Sequence, residues 1–141
     1  MTRIEELKAI AARHGGLLKP EHVVEFAESP ATALHSAFEW DDSEASRLYR
    51  LVQARAIIRV TVQVVAMKDG NQTVPVFVSL QADRDDGGGY RDTFTVLKGK
   101  DTRAALLAEA RRDMEAFEGR FAMFEELADV VAAMRKARKK I

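Results

Sequence analysis

From Leu107 to Val131 the apolar residues alternate spacings of three and four: Leu107, Ala110, Met114, Phe117, Phe121, Phe124, Ala128 and Val131. This run constrains the chain more than any other feature, because only a helix returns such a series to one face. Asp101 or Thr102 can cap the helix, and Arg135 occupies the next seam position, so the spacing predicts a long helix over 101–138 whose seam ends before its basic tail. Leu106, Leu127, Val130 and Met134 widen the stripe. Three phenylalanines in successive seam positions are bulky for a two-stranded coil, and a wide stripe suits a core or a partner rather than a thin rod. Leu107, Met114, Phe117, Phe121, Phe124 and Val131 are therefore the expected packing or self-association seam.

Ahead of that helix the chain falls into two zones. Ile4, Leu7, Ile10 and Ala11 recur at helical spacing until Gly15-Gly16, which predicts a helix over 2–14. Pro20 suits a first helical position, and Val23, Val24, Phe26 and Ala27 supply an apolar face before Ser29-Pro30. A short helical segment is expected over 32–38, and a fourth helix from Asp41 to Arg59 through Leu48, Leu51, Val52, Ile57 and Ile58. The period then changes. IRVTVQVVAM and TVPVFVSLQ alternate β-branched residues around KDGNQ, which predicts an antiparallel hairpin with Pro75 on an edge or at a bulge. ADRDDGGGYRD reads as a polar loop and YRDTFTVL as a third short strand. The expected fold is α+β in a single domain of 141 residues: a helical segment over 1–59, a small antiparallel sheet of two or three strands over 60–97, and the long helix. Its expected core takes Leu48, Val52, Val62, Val64, Val76 and Val78 together with Phe117, Phe121 and Phe124.

Composition excludes several classes of function. With 22 basic and 22 acidic residues the surface as a whole is no polyanion binder. The chain has no cysteine, so disulfides, thiolate metal sites and cysteine nucleophiles are absent together. The amino terminus carries acids without an apolar signal core, and no stretch is apolar enough for a membrane span, so a cytoplasmic protein with no membrane partner is expected. His14, His22 and His35 fall on separate segments without metal-pair spacing, and no metal or other cofactor is implied. Asp41-Asp42 and Asp85-Asp86 read as solvated acids, and DRDDGGGY lacks the closing acid of a calcium loop. Gly87-Gly88-Gly89 has acidic neighbours and no Lys-Ser or Lys-Thr after it, so a flexible turn is expected there rather than a phosphate nest. No catalytic residue set and no small-molecule substrate emerge.

Two basic sets are candidate nucleic-acid contacts: Arg47, Arg50, Arg55 and Arg59 on the fourth helix, and the tail Arg135, Lys136, Arg138, Lys139 and Lys140. The tail also suits the negative end of a helix dipole. The first two helices could be taken for a helix-turn-helix, but HVVEFAE offers acids where a recognition helix offers donors. The remaining singular stretch is LHSAFEWDDSEA, which holds the one tryptophan. Asp41 as a helix cap and Glu44 three residues on form a capping-box pattern, with Leu34, His35, Phe38, Trp40 and Asp42 around it. It therefore reads as a helix start anchored by aromatics.

PEHVVEFA, LHSAFEWDD, the YR and AR pairs that follow, and the late Glu126-Leu127 occur here in an order that resembles a family of small proteins encoded by bacteriophages and prophages. The resemblance covers about 15–134 and implies a phage or prophage origin in a bacterial host cell, compatible with the cytoplasm or the virion. It implies no activity. The expected function is a non-catalytic interaction or assembly protein that forms a homo-oligomer. A DNA-associated accessory protein and an enzyme with an unrecognised site are the alternatives.

Overall fold

The structure, a computed structural model, describes residues 1–141. It is α+β, with two small antiparallel sheets among seven α-helices. The chain divides into two compact units, 1–95 and 96–141.

The first unit opens with α1, Arg3–Arg13, whose start is a full capping box: the Thr2 hydroxyl accepts from the Glu5 N–H and the Glu5 carboxylate accepts from the Thr2 N–H. It ends where Gly15 and Gly16 take φ of 65° and 89°, values that favour glycine. Pro20 is the first residue of α2, Pro20–Ala27, as its fixed φ and missing N–H suit. A single 3₁₀ turn, His35–Ala37, leads to α3, Glu44–Val60. The strands β1, Val62–Met67, and β2, Gly70–Pro75, pair antiparallel from Val62↔Pro75 to Met67↔Gly70, closed by a tight turn with Gly70 at φ 103°. The predicted hairpin is present, with Pro75 on an edge.

The predicted third strand is present only as Arg91–Asp92, and not in the hairpin's sheet. Phe77–Val78, β3, leaves the hairpin and pairs instead with Arg91–Asp92, β4, in a separate sheet. Beyond Asp92 the chain turns helical as α5, Thr93–Lys98, because the Asp92 carboxylate accepts from the Thr95 N–H and Thr93 ties back to Pro75 and Val76. Nor is ADRDDGGGYRD all loop: Gln81–Asp85 forms α4, held by a two-pronged Arg91–Asp83 ion pair at 2.7 and 2.8 Å.

The core of this unit joins Leu7 and Ile10 of α1, Val23 and Ala27 of α2, Leu34 and Phe38 of the turn, Ala54 and Ile58 of α3, and Val76 with Phe77. Of the expected core, Val76 is fully buried and Val78 half-buried, whereas Leu48, Val52, Val62 and Val64 are 59, 55, 47 and 69% exposed. The correction is one of face. Ala54 and Ile58 lie on a different face of α3 from Leu48 and Val52, about a third of a turn away, and the hairpin stands as a two-stranded ribbon with no third strand over it.

In the second unit the long predicted helix is broken. Its first part, α6, Lys100–Phe121, starts after Gly99 and not at a side-chain cap; the Thr102 hydroxyl reaches back to the Val96 and Gly99 carbonyls. After Ala122 the chain extends at Phe124, makes a 3₁₀ turn over Glu125–Leu127, and continues as α7, Ala128–Arg138. No glycine or proline marks this break. A tertiary clasp holds it: the buried Glu118 carboxylate accepts from Arg138 at 2.7 and 2.8 Å and from Arg135 at 3.2 Å, tying α7 to α6. The two arginines hold the Glu118 carboxyl below the usual glutamate range. The seam is therefore interrupted. Phe117 and Phe121 are half-buried with rings 4.9 Å apart, Val131 is buried, Met114 is half-buried, and Leu107 and Phe124 are exposed.

Candidate functional site

The stretch with the tryptophan is a locked junction. Leu34 is fully buried and Phe38 nearly so. His35 Nδ1 lies 2.8 Å from the Ala27 carbonyl, an acceptor only, so that nitrogen carries the proton. The Trp40 ring stacks on His35 at 4.9 Å and its Nε1–H donates to the His35 carbonyl. Arg50 lies over the Trp40 ring, 5.2 Å from its centroid, and donates to the Glu39 and Asp41 carbonyls. The capping pattern is shifted by two residues: Ser43, not Asp41, caps α3 and accepts from the Ser46 N–H. Asp41 instead accepts from the Ser43 N–H, while Asp42 and Glu44 stay exposed.

Sequence reasoning passed over the group that fixes this junction from outside. Glu6 of α1 is buried, and its two carboxylate oxygens accept from the Ala33 and Leu34 N–H groups at 2.8 and 3.0 Å. A glutamate in an early helical turn gives no signal of such a role, since its partners lie 27 and 28 residues away.

Two histidines also meet. His14, which caps the end of α1, stacks on His22 of α2 with ring centroids 3.5 Å apart. Burial, followed by the neighbouring His14 and Lys19, pushes His22 below its ordinary value of 6.5 against the pull of Glu21 and Glu25. A base with a depressed pKa in the fold gives stability that is present above 6.5 and lost as pH falls below it, because the unfolded chain takes the proton first. The melting temperature should therefore fall between about pH 7 and about pH 5, and His22→Gln should flatten that part of the profile. No three histidine, aspartate or glutamate side chains gather as a metal-binding group.

The basic candidates separate into committed and uncommitted groups. Arg50 belongs to the tryptophan junction, Arg47 pairs with Glu44, and Arg135 and Arg138 clasp Glu118. Lys136, Lys139 and Lys140 remain exposed, as do Arg55 and Arg59. The clasp removes two cations from the tail set read as phosphate contacts.

One exposed surface is apolar. Leu48, Tyr49, Val52 and Val60 form an exposed stripe on α3, and the ribbon that follows exposes Val62, Val64 and Met67. A different face of the same helix is packed through Ala54 and Ile58 against the core. Comparison with family models, with curated proteins and with solved structures gives no match, so the geometry alone supports a functional reading. No helix is long and apolar enough to cross a membrane, so this exposed surface does not mark a transmembrane helix.

Proposed function

We propose that the chain is a non-catalytic, self-associating interaction or assembly protein of phage or prophage type, with a second copy of itself seated on α3 and the β1–β2 ribbon. The observation that supports this reading is the exposed stripe of Leu48, Tyr49, Val52 and Val60 continued by Val62 and Val64 on one face of the ribbon. If each gives up about 100 Å² on contact, the patch buries on the order of 600 Å², about three quarters of the ~800 Å² each partner contributes to a standard interface. A second copy is the favoured occupant because a two-fold contact sets the same patch against itself and needs no complementary charge, and these six residues carry none. The ribbon favours the same occupant. A two-stranded sheet is marginal alone, and its outer edges are open to a further strand.

The chain has no cysteine, so one can be introduced without competition. Val52→Cys treated with a bismaleimide spanning about 10 Å, the axis separation of packed helices, should give a covalent dimer. Ser29→Cys, on an exposed turn outside the stripe, should not. Equal yields from the two variants, or none from either, would count against this interface.

A further inference from the structure

We infer that the cleft between α3 and the triple-glycine loop is a binding site for a phosphate group carried by a small phosphorylated molecule. The cleft measures about 380 Å³ and is lined by Arg55 and Arg59 of α3, Arg84 of α4, Ser79, Tyr90 and the Gly87–Gly89 loop. That volume falls in the range of small-ligand sites. Arg55 and Arg59 are one helical turn apart on one face, exposed and without a partner in the protein. Arg84 is held in place by the Ser79 carbonyl at 2.8 Å and the Gln81 side chain at 2.9 Å. A fourth cation stands beside them, for the Lys19 Nζ lies 3.5 Å from where a Cβ on Gly87 would be. Glu21 is the one acid in the lining. Asp85 is bonded to Gln81, and neither it nor Asp86 lines the cleft.

The backbone adds donors. Gly87, Gly88 and Gly89 take φ of 89°, 84° and 130°, and only Gly88 spends its N–H on the protein, at the Asp83 carbonyl. The N–H groups of Gly87 and Gly89 have no backbone partner in the protein. The loop is also fixed in place. Leu18 and Tyr90 exchange both backbone hydrogen bonds, at 2.7 and 2.8 Å, and a Cβ on Gly89 would come within 2.6 Å of the Leu17 side chain. Planar guanidinium groups with nearby backbone donors match the tetrahedral oxygens of a phosphate. A bounded cleft suits a terminal phosphate on a small molecule, whereas a duplex needs an extended basic track, and Arg47 and Arg50 of the same helix are already paired.

The test is a titration of the full chain at low salt with inorganic phosphate, with AMP and with a short DNA duplex, followed by backbone amide and arginine Nε–H chemical shifts. Phosphate and AMP should give saturable shifts at Gly87 to Gly89 and at Arg55 and Arg59, with half-saturation below about 10 mM. The double variant Arg55→Gln, Arg59→Gln should weaken binding about tenfold or more, because two charge-assisted hydrogen bonds are lost. Its melting temperature should be unchanged, since both side chains are exposed and unpaired. Glu21→Gln should tighten binding. Linear, unsaturable shifts, or saturable binding that the double variant leaves intact, would overturn the site. Duplex binding that is sensitive to the double variant, with no response to phosphate or AMP, would overturn the small-molecule occupant.

Discussion

Leu34→Ala should lower the stability of the first unit by about 3 kcal/mol, read as a shifted midpoint in denaturant unfolding. Leu34 is fully buried and belongs to the core shared by α1, α2 and α3. Truncation removes its transfer free energy and leaves a void that neighbours on three helices cannot all move to fill. Phe38 and Trp40 depend on the same turn, so the Trp40 fluorescence should shift red in the folded variant as its ring loses the His35 stack. A loss under about 1 kcal/mol would show that the junction is an exposed turn and that the tryptophan cluster does not anchor α3.

Glu6→Ala should cost a similar amount, about 2–4 kcal/mol, for a different reason. Its carboxylate is the acceptor for both the Ala33 and the Leu34 N–H groups, and the Leu34 bond is buried. Alanine leaves a buried donor without an acceptor, which costs more than the bond's net contribution. Glu6→Gln separates hydrogen bonding from packing: its side-chain oxygen can accept one of the two bonds, while its NH₂ group meets the other N–H donor to donor. About half of the loss should return. Full recovery by glutamine would mean that the charge and the second acceptor contribute nothing, and indifference to alanine would mean that α1 does not hold the turn.

The sequence was legible where the cause of a structure lies close along the chain. Gly15-Gly16 and Pro20 mark the end of the first helix and the start of the second within a few residues, and those helices are found where expected. Asp69-Gly70 likewise announces the hairpin. The reading failed where a feature depends on distant partners. Leu48 and Val52 have as good a helical spacing as Ala54 and Ile58, and nothing local tells which side of a two-sided apolar helix meets α2. The heptad seam passes through the break at Ala122–Leu127 without a signal, because Glu118 draws Arg135 and Arg138 from 17 and 20 residues away.

The glycine loop shows the same limit in its chemistry. Its sequence neighbours Asp85 and Asp86 argue against an anion, yet its neighbours in space are Arg55, Arg59, Arg84 and Lys19. Arg84 could have been noticed nearby in the sequence; the two arginines of α3 could not, since the hairpin and β3 lie between them and the loop. The candidate nucleic-acid contacts were chosen by residue type, and the fold divides them: Arg50, Arg135 and Arg138 are bound internally, while Arg55 and Arg59 face the cleft.

Self-association through α3 and the ribbon is tested most directly by the native mass from light scattering at tens of micromolar, for the unaltered chain and for Leu48→Glu, Val52→Glu. Both positions are more than half exposed, so the charges burden an interface and not the folded core. The unaltered chain should run at twice its 15.7 kDa, about 31 kDa, and the double variant at the mass of one chain with an unchanged melting temperature at low concentration. A monomeric unaltered chain, or a variant that stays dimeric, would contradict the proposed interface.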